Sequence, residues 1–408
     1  MGDRSEGAAR VPRAKTFIPG TAGDLTPQWL TDQLRAHGGL PAESEVVGFR
    51  IGPVGGGQGL SGDLMRVTLD YSGDPGEAPA TLIAKFPTSN IVNRGMIEHL
   101  GTYEREIEFY QQLAEEIPIR APRHLGSDLD AAVLPPAAKA GAARLLEKLP
   151  GSVHVFLTRD VGKFMRATTR RYALLIEDMG SGEVHDLVEP PGPDRLRVIL
   201  EHLAQLHAHF WGDIGVGQLV STGRTVTDIP LVQRHVCRER AIPACIERWP
   251  DLMGPVEIEM LEEATERFPE DVKRLNRPIT LIHGDPRSDN MLFGDDGSLA
   301  VLDWAMPAFA DPGFDLGYVL SSAVEPHDGR SMARELAHHY HAALRRHGVE
   351  YAFDELWTSA EATFRAQIVQ MALSLVFFQA SYGEQVPSDY WVPRSLACLM
   401  DEPASRVA

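Results

Sequence analysis

Two short apolar runs and the polar residues at their ends constrain this chain more than anything else in it. The first run leads through Leu281-Ile282 into His283-Gly284-Asp285, and the second, Val301-Leu302, ends on Asp303-Trp304. Apolar runs bounded by glycine, proline and aspartate read as buried strands. Between them lie Pro286-Arg287-Ser288-Asp289-Asn290, so that Asn290 follows Asp285 by five residues and Asp303 follows Asn290 by thirteen. A site for phosphoryl transfer needs one carboxylate to orient the attacking hydroxyl, and an amide and a second carboxylate to hold magnesium. Asp285, Asn290 and Asp303 supply these in a compact stretch.

Composition narrows the partners. With 408 residues the chain can form two lobes around a cleft. Its net charge of −18, from 39 basic and 57 acidic residues, argues against nucleic acid as a partner. Cys237, Cys245 and Cys398 form no metal-binding spacing, and so sparse a set suits the reducing cytoplasm. The polar first 15 residues do not read as a secretory signal. The longest apolar stretch, Met371 to Phe378, is too short to span a membrane and reads as a buried helix.

Upstream, residues 1–22 read as a flexible tail, and Thr26 caps a short helix that begins at Pro27. A strand from Val46 to Val54 then runs through Gly55-Gly56-Gly57-Gln58-Gly59-Leu60-Ser61-Gly62 into an alternating strand from Leu64 to Tyr71. Such a turn is either an ordinary flexible hairpin or a loop whose backbone N–H groups close on phosphate oxygens, at Gly57, Gly59 and Ser61. Thr81 to Phe86 is an apolar strand carrying Lys85, whose burial demands a partner. The helix after it, from about Gly101 to Glu115, offers Glu106 and, as a competitor, Glu104. Tyr172 to Gly180 is a buried strand that ends in Glu177, Asp178 and Met179. From Arg195 on the pattern is helical, and the histidines on these helices read as packing or surface residues rather than as a metal set.

The motif His283-Gly-Asp285-x-x-x-x-Asn290 followed by Asp303-Trp304 resembles the aminoglycoside phosphotransferase and choline kinase group of small-molecule kinases. The nearest likeness is to the ecdysteroid-kinase-like bacterial branch. The resemblance implies an α+β, bilobal protein-kinase-like fold, with a small antiparallel-sheet lobe over residues 23–178 and a larger, mostly helical lobe over 179–408. It implies ATP or another nucleoside triphosphate and Mg²⁺ as cofactors, and a small molecule with a hydroxyl group as acceptor. Asp285 would then be the catalytic base and Arg287 a cation facing the transferred phosphate, unless Arg287 is a surface arginine paired with Asp289 or Glu177. Asn290 and Asp303 would hold the metal. Lys85, positioned by Glu106, would hold the nucleotide phosphates, and Glu177 and Met179 would lie at the hinge that takes adenine. Asp315, in Gly313-Phe314-Asp315-Leu316, would cap its helix and buttress the catalytic loop. Residues 131–168 exceed what the resemblance calls for between the fourth strand and the hinge. They read as an insertion in the smaller lobe, serving as a lid or an interaction surface. A protein kinase is disfavoured by the absence of His-Arg-Asp and Asp-Phe-Gly. A catalytically silent nucleotide-binding protein is the alternative from another class, against which the intact residue set argues.

Overall fold

The computed structural model describes residues 17–58, 62–131, 136–159, 168–213, 227–377 and 387–400. Gly59 and Ser61, and residues 132–135 and 160–167 of the expected insertion, lie outside this range.

The smaller lobe is built on one five-stranded antiparallel sheet. Its strands are β1 (Glu45–Gln58), β2 (Gly62–Ser72), β3 (Thr81–Pro87), β4 (His124–Leu129) and β5 (Tyr172–Glu177), in the order β1-β2-β3-β5-β4. Helix α1 (Pro27–His37) covers one face. Thr26 starts it, its Oγ1 accepting from Trp29 N at 3.2 Å, with Pro27 in the first position, where a missing N–H costs nothing. Leu30 and Leu34 of α1 pack with Val67, Leu69, Leu82, Ala84 and Leu175 of the sheet, the strand residues being spaced by two as one buried face requires. The other face receives α3 (Thr102–Gln112), which follows α2 (Ile91–Leu100). Tyr103, Phe109 and Tyr110 of α3 join Tyr172 and Leu174 of β5 in a second core that continues into the helical lobe.

The described part of residues 131–168 adds helices α4 (Pro136–Leu146) and α5 (Gly151–Thr158) and no strand of the sheet. These helices do not keep to the smaller lobe. Glu147 accepts from the first N–H groups of α7 (Pro230–Val236), at Leu231 and Val232, both at 3.1 Å. A carboxylate there meets the unsatisfied donors of a helix start. His154, fully buried on α5, shares a 2.8 Å hydrogen bond with His235 of α7. The segment therefore straps the two lobes together.

The larger lobe contains α6 (Pro193–His209), α7, a π-helical turn (Cys237–Ala241), α8 (Ile242–Arg248) and α9 (Pro255–Leu275). After it come α10 (Gly313–Ala323), α11 (Gly329–Arg346), α12 (Phe353–Phe377) and α13 (Ser388–Leu399). Two small ribbons sit at the cleft: β6 (Thr280–Ile282) pairs with β9 (Ala308–Ala310), and β7 (Met291–Phe293) pairs with β8 (Leu299–Val301). The three cysteines are free and buried. Among the described residues, no helix is long and apolar enough to cross a membrane.

Candidate active site

β3 carries Lys85 into the interface between the lobes, where its side chain is only 5% exposed. Gly62 permits the close approach of β2 at this point: a Cβ there would lie 2.8 Å from the Phe86 carbonyl and 3.1 Å from the Lys85 stem. Burying an ammonium is costly unless it is paired. Lys85 Nζ donates to Glu106 Oε1 at 2.8 Å and to Asp303 Oδ1 at 2.7 Å. Burial alone would lower the lysine's pKa, but the two carboxylates override it and push the pKa up, so the ammonium stays charged. Glu106 is fixed from its other oxygen by the Tyr172 hydroxyl at 2.9 Å. Glu104, the competing acid, instead pairs with Arg170 at 2.8 Å.

Asp303 is the one non-glycine residue with positive φ, 54°, among those described. Aspartate tolerates this left-handed region better than most residues, yet the conformation must be held from outside. Trp304 does so: its ring stacks on Phe109 of α3 at 4.2 Å with a 4° interplanar angle, and its indole N–H donates to the Val301 carbonyl at 3.0 Å. Burial would raise the Asp303 carboxyl's pKa, but Lys85 outweighs that and holds it below its ordinary range.

The His283-Gly284-Asp285 turn is held by α10. Asp315, fully buried, accepts from His283 N at 2.7 Å and Gly284 N at 2.9 Å. His207 of α6 approaches the same carboxylate at 3.2 Å and is itself hydrogen bonded to the Tyr340 hydroxyl at 2.6 Å. Asp315 lies within the first turn of α10 and does not cap it. The side chain that accepts from Gly313 N, at 2.9 Å, is Asp311, so the capping expectation for Asp315 is corrected. His283 braces the turn from both ring nitrogens, accepting from Asp285 N at 3.2 Å and donating to the Leu302 carbonyl at 2.9 Å. Gly284 cannot be replaced without strain: its φ is +83°, and a Cβ would lie 2.0 Å from the Met306 carbonyl oxygen.

Asp285 Oδ1 accepts from Arg287 Nε at 3.0 Å and from the Tyr318 hydroxyl at 2.6 Å. Arg287 also reaches Asp289 at 3.4 Å, the first of the two pairings weighed for a surface arginine, and its side chain is 21% exposed. Asn290 donates its amide N–H to the Asp285 carbonyl at 2.8 Å, while Leu302 N donates to the Asn290 carbonyl at 2.8 Å. That second bond ties the segment bearing Asn290 to the one bearing Asp303.

At the hinge, the Glu177 carboxylate takes Arg120 at 2.7 Å and Arg123 N at 3.0 Å, and its own N–H donates to the Arg123 carbonyl at 2.9 Å. Met179 follows, half-buried, before Gly180. Gly57 lies at the end of β1; Gly59 and Ser61 are outside the described residues. The structure thus brings Lys85, Glu106, Asp303, Asp285, Arg287 and Asn290 into two linked clusters. It adds Tyr172, Tyr318 and the Tyr340–His207 pair that backs Asp315, none of which sequence reasoning singled out. For Tyr318 a signal existed, since it lies three residues after Asp315 and hence on the same helix face.

The model of the phosphotransferase enzyme family matches residues 77–350. The chain belongs to this family. No curated protein sequence matches it. Among solved structures, ethanolamine kinase from Plasmodium vivax is similar at 13% identity and a TM-score of 0.50, over 88% of this chain and 83% of that one. A macrolide 2′-phosphotransferase from Brachybacterium faecium aligns at 16% identity and a TM-score of 0.45, over 90% of this chain and 98% of that one. A spectinomycin phosphotransferase solved with ADP and spectinomycin aligns at 12% identity and a TM-score of 0.47, over 92% and 99%. The fold of this phosphotransferase-family chain is the bilobal protein-kinase-like one, a small antiparallel-sheet lobe on a mostly helical lobe.

Proposed function

We propose that this family member is an ATP- and magnesium-dependent O-phosphotransferase whose acceptor is the hydroxyl group of a small molecule. The observation that supports this best is the convergence of Lys85, Glu106 and Asp303 in direct contact, with Asp303 joined through Leu302 and Asn290 to Asp285.

Asn290 and Asp303 fit magnesium as hard oxygen donors. This cation commonly takes only one or two protein oxygens and completes its shell with water and phosphate. Asn290 spends its amide N–H on the Asp285 carbonyl, which keeps its amide oxygen as the acceptor end, and the Asp303 carboxylate stays ionised beside Lys85. When bound, magnesium held by Asn290 and Asp303 would neutralise charge developing on the transferred phosphate. Lys85, fixed by Glu106, would position the nucleotide phosphates. Asp285 would orient the acceptor hydroxyl for in-line attack on the γ-phosphorus and take its proton as the new P–O bond forms and the bond to the leaving ADP oxygen breaks. Arg287, neutralised in part by Asp285 and Asp289, would keep the transferred phosphate beside the base. Glu177 and Met179 at the hinge, and Gly57, Gly59 and Ser61 in the glycine-rich turn, would enclose the nucleotide. The reaction would take place in the cytoplasm, which suits the sparse cysteines.

The test is ADP release with Mg·ATP against a panel of acceptors: amino alcohols, aminocyclitols, macrolides, sugars and sterols. Acceptor-dependent ADP release that is lost in Asp285→Asn supports the reading. Magnesium-dependent nucleotide binding without turnover on any acceptor favours the silent nucleotide-binding alternative.

A further inference from the structure

Tyr318 sits on α10, one turn beyond Asp315, and the two residues act on the same short segment. Asp315 holds the backbone of His283 and Gly284, while the Tyr318 hydroxyl meets the side chain of Asp285 at 2.6 Å. Packing alone would be served by phenylalanine here. The ring lies edge-on to Trp391 of α13 at 5.0 Å and 90°, and is tilted against Phe314 at 5.7 Å. Trp391 is anchored in turn by its indole N–H on Ser321 Oγ at 3.2 Å. The phenol's burial and the adjacent Asp285 charge push its pKa well above the ordinary value, so it remains a donor. A hydroxyl placed against a carboxylate in this setting fixes the carboxylate's rotation.

The direction of that fixing follows from the two oxygens. Oδ1 receives two donors, Tyr318 Oη and Arg287 Nε at 3.0 Å, and a carboxylate oxygen has two lone pairs. Among the described residues, Oδ2 has only the long 3.5 Å approach of Asn290 Nδ2. We propose that Tyr318 is a positioning residue for phosphoryl transfer: with Arg287 it saturates Oδ1 of Asp285 and so makes Oδ2 the oxygen that accepts the acceptor's hydroxyl proton. The inference rests on the reading of Asp285 as the base and assigns which of its oxygens works. Because Trp391 presses on the Tyr318 ring, it also couples the seating of α13 to the aim of the base.

The experiment compares the wild type with Tyr318→Phe, Asp285→Asn and the double variant, using Mg·ATP and one accepted substrate. Turnover is normalised to nucleotide-binding stoichiometry, so that misfolded protein is not counted. Losing a hydrogen bond to a charged group is worth roughly a 10- to 100-fold change, and Tyr318→Phe is expected to lower kcat by that factor. KM for ATP and for the acceptor should stay within about twofold, because the lost hydroxyl is engaged by Asp285 Oδ1. The double variant should be no slower than Asp285→Asn, since there is then no ionised base left to aim. Wild-type kcat in Tyr318→Phe overturns the proposal, as does a loss confined to KM. Losses that multiply in the double variant also overturn it, because Tyr318 would then act on some other group. Wild-type turnover in Asp285→Asn overturns the base assignment itself, which distinguishes that failure from a failure of Tyr318 alone.

Discussion

Lys85 and Asp303, 218 residues apart in sequence, are in contact at 2.7 Å across the interface of the two lobes. The contact completes a chain, Tyr172–Glu106–Lys85–Asp303, in which Lys85 and Glu106 are buried and Asp303 is 26% exposed. Removing one member of such a chain leaves the others unpaired in a poorly solvated place.

Lys85→Met should therefore do two things. It should weaken nucleotide binding, and it should also destabilise the fold by about 3 kcal/mol, the scale for a buried carboxylate left without its partner. Adding Glu106→Gln to Lys85→Met should restore a large part of the stability and none of the nucleotide affinity. Denaturant unfolding and calorimetric nucleotide titration of both variants check this. Equal stability of Lys85→Met and wild type would show that the pair carries no net folding energy.

The Asp315 carboxylate is expected to matter more for stability than its distance from the chemistry suggests. Asp315→Asn keeps the shape but turns an NH₂ group on one of the two backbone donors, His283 N now on Oδ2 or Gly284 N now on Oδ1. A cost of about 2–3 kcal/mol is expected from the backbone donor left facing that NH₂ group, together with a fall in turnover as the turn loosens. Thermal unfolding and steady-state rates of the variant provide the check.

Gly284→Ala should be worse tolerated than any surface substitution. The added methyl would lie 2.0 Å from the Met306 oxygen on a backbone already at φ +83°. A loss of at least about 2 kcal/mol is expected from the clash and strain together, measured as the shift of the urea midpoint at constant slope.

Acid should unsettle the smaller lobe through His124. Burial, and next the neighbouring His37, lower its pKa from 6.5 to about 4. A histidine whose folded pKa is depressed favours the neutral form on folding. Its contribution is present above pH 6.5 and is lost as the pH falls from 6.5 toward about 4. The full span would be about 3 kcal/mol as an upper bound, since the ring is partly exposed. His124→Gln should flatten the stability profile over that window; an unchanged profile would exclude the histidine as its source.

The sequence showed the parts of this site that lie in short contiguous runs. His283 to Asp303 could be read as strand, turn and strand because apolar stretches and a glycine bracket the polar residues. α1 could be read because Thr26 and Pro27 are local signals. What escaped reading depends on contacts between distant segments. Tyr318 and Tyr172 look like core aromatics until Asp285 and Glu106 are placed beside them. Asp311 and Asp315 differ by four residues and nothing local tells which one meets Gly313 N. The strap of α4 and α5 was visible as surplus chain, but its docking on α7 through Glu147 and His154 involves residues about 80 positions away. Glu177 stood out as an acid at a strand end, and only the fold shows its carboxylate and N–H already committed to Arg120 and Arg123.

The central claim is that Asp285 acts as the base while Asp303 serves the metal and nucleotide. The measurement that tests it most directly is turnover and Mg·ATP affinity, side by side, for Asp285→Asn and Asp303→Asn with one accepted substrate. A positioned base is worth roughly 100- to 10,000-fold, so Asp285→Asn should lose turnover by that order and keep its Mg·ATP affinity. Asp303→Asn should lose magnesium-dependent nucleotide binding, because a hard anionic ligand is gone. Wild-type turnover in Asp285→Asn would contradict the account.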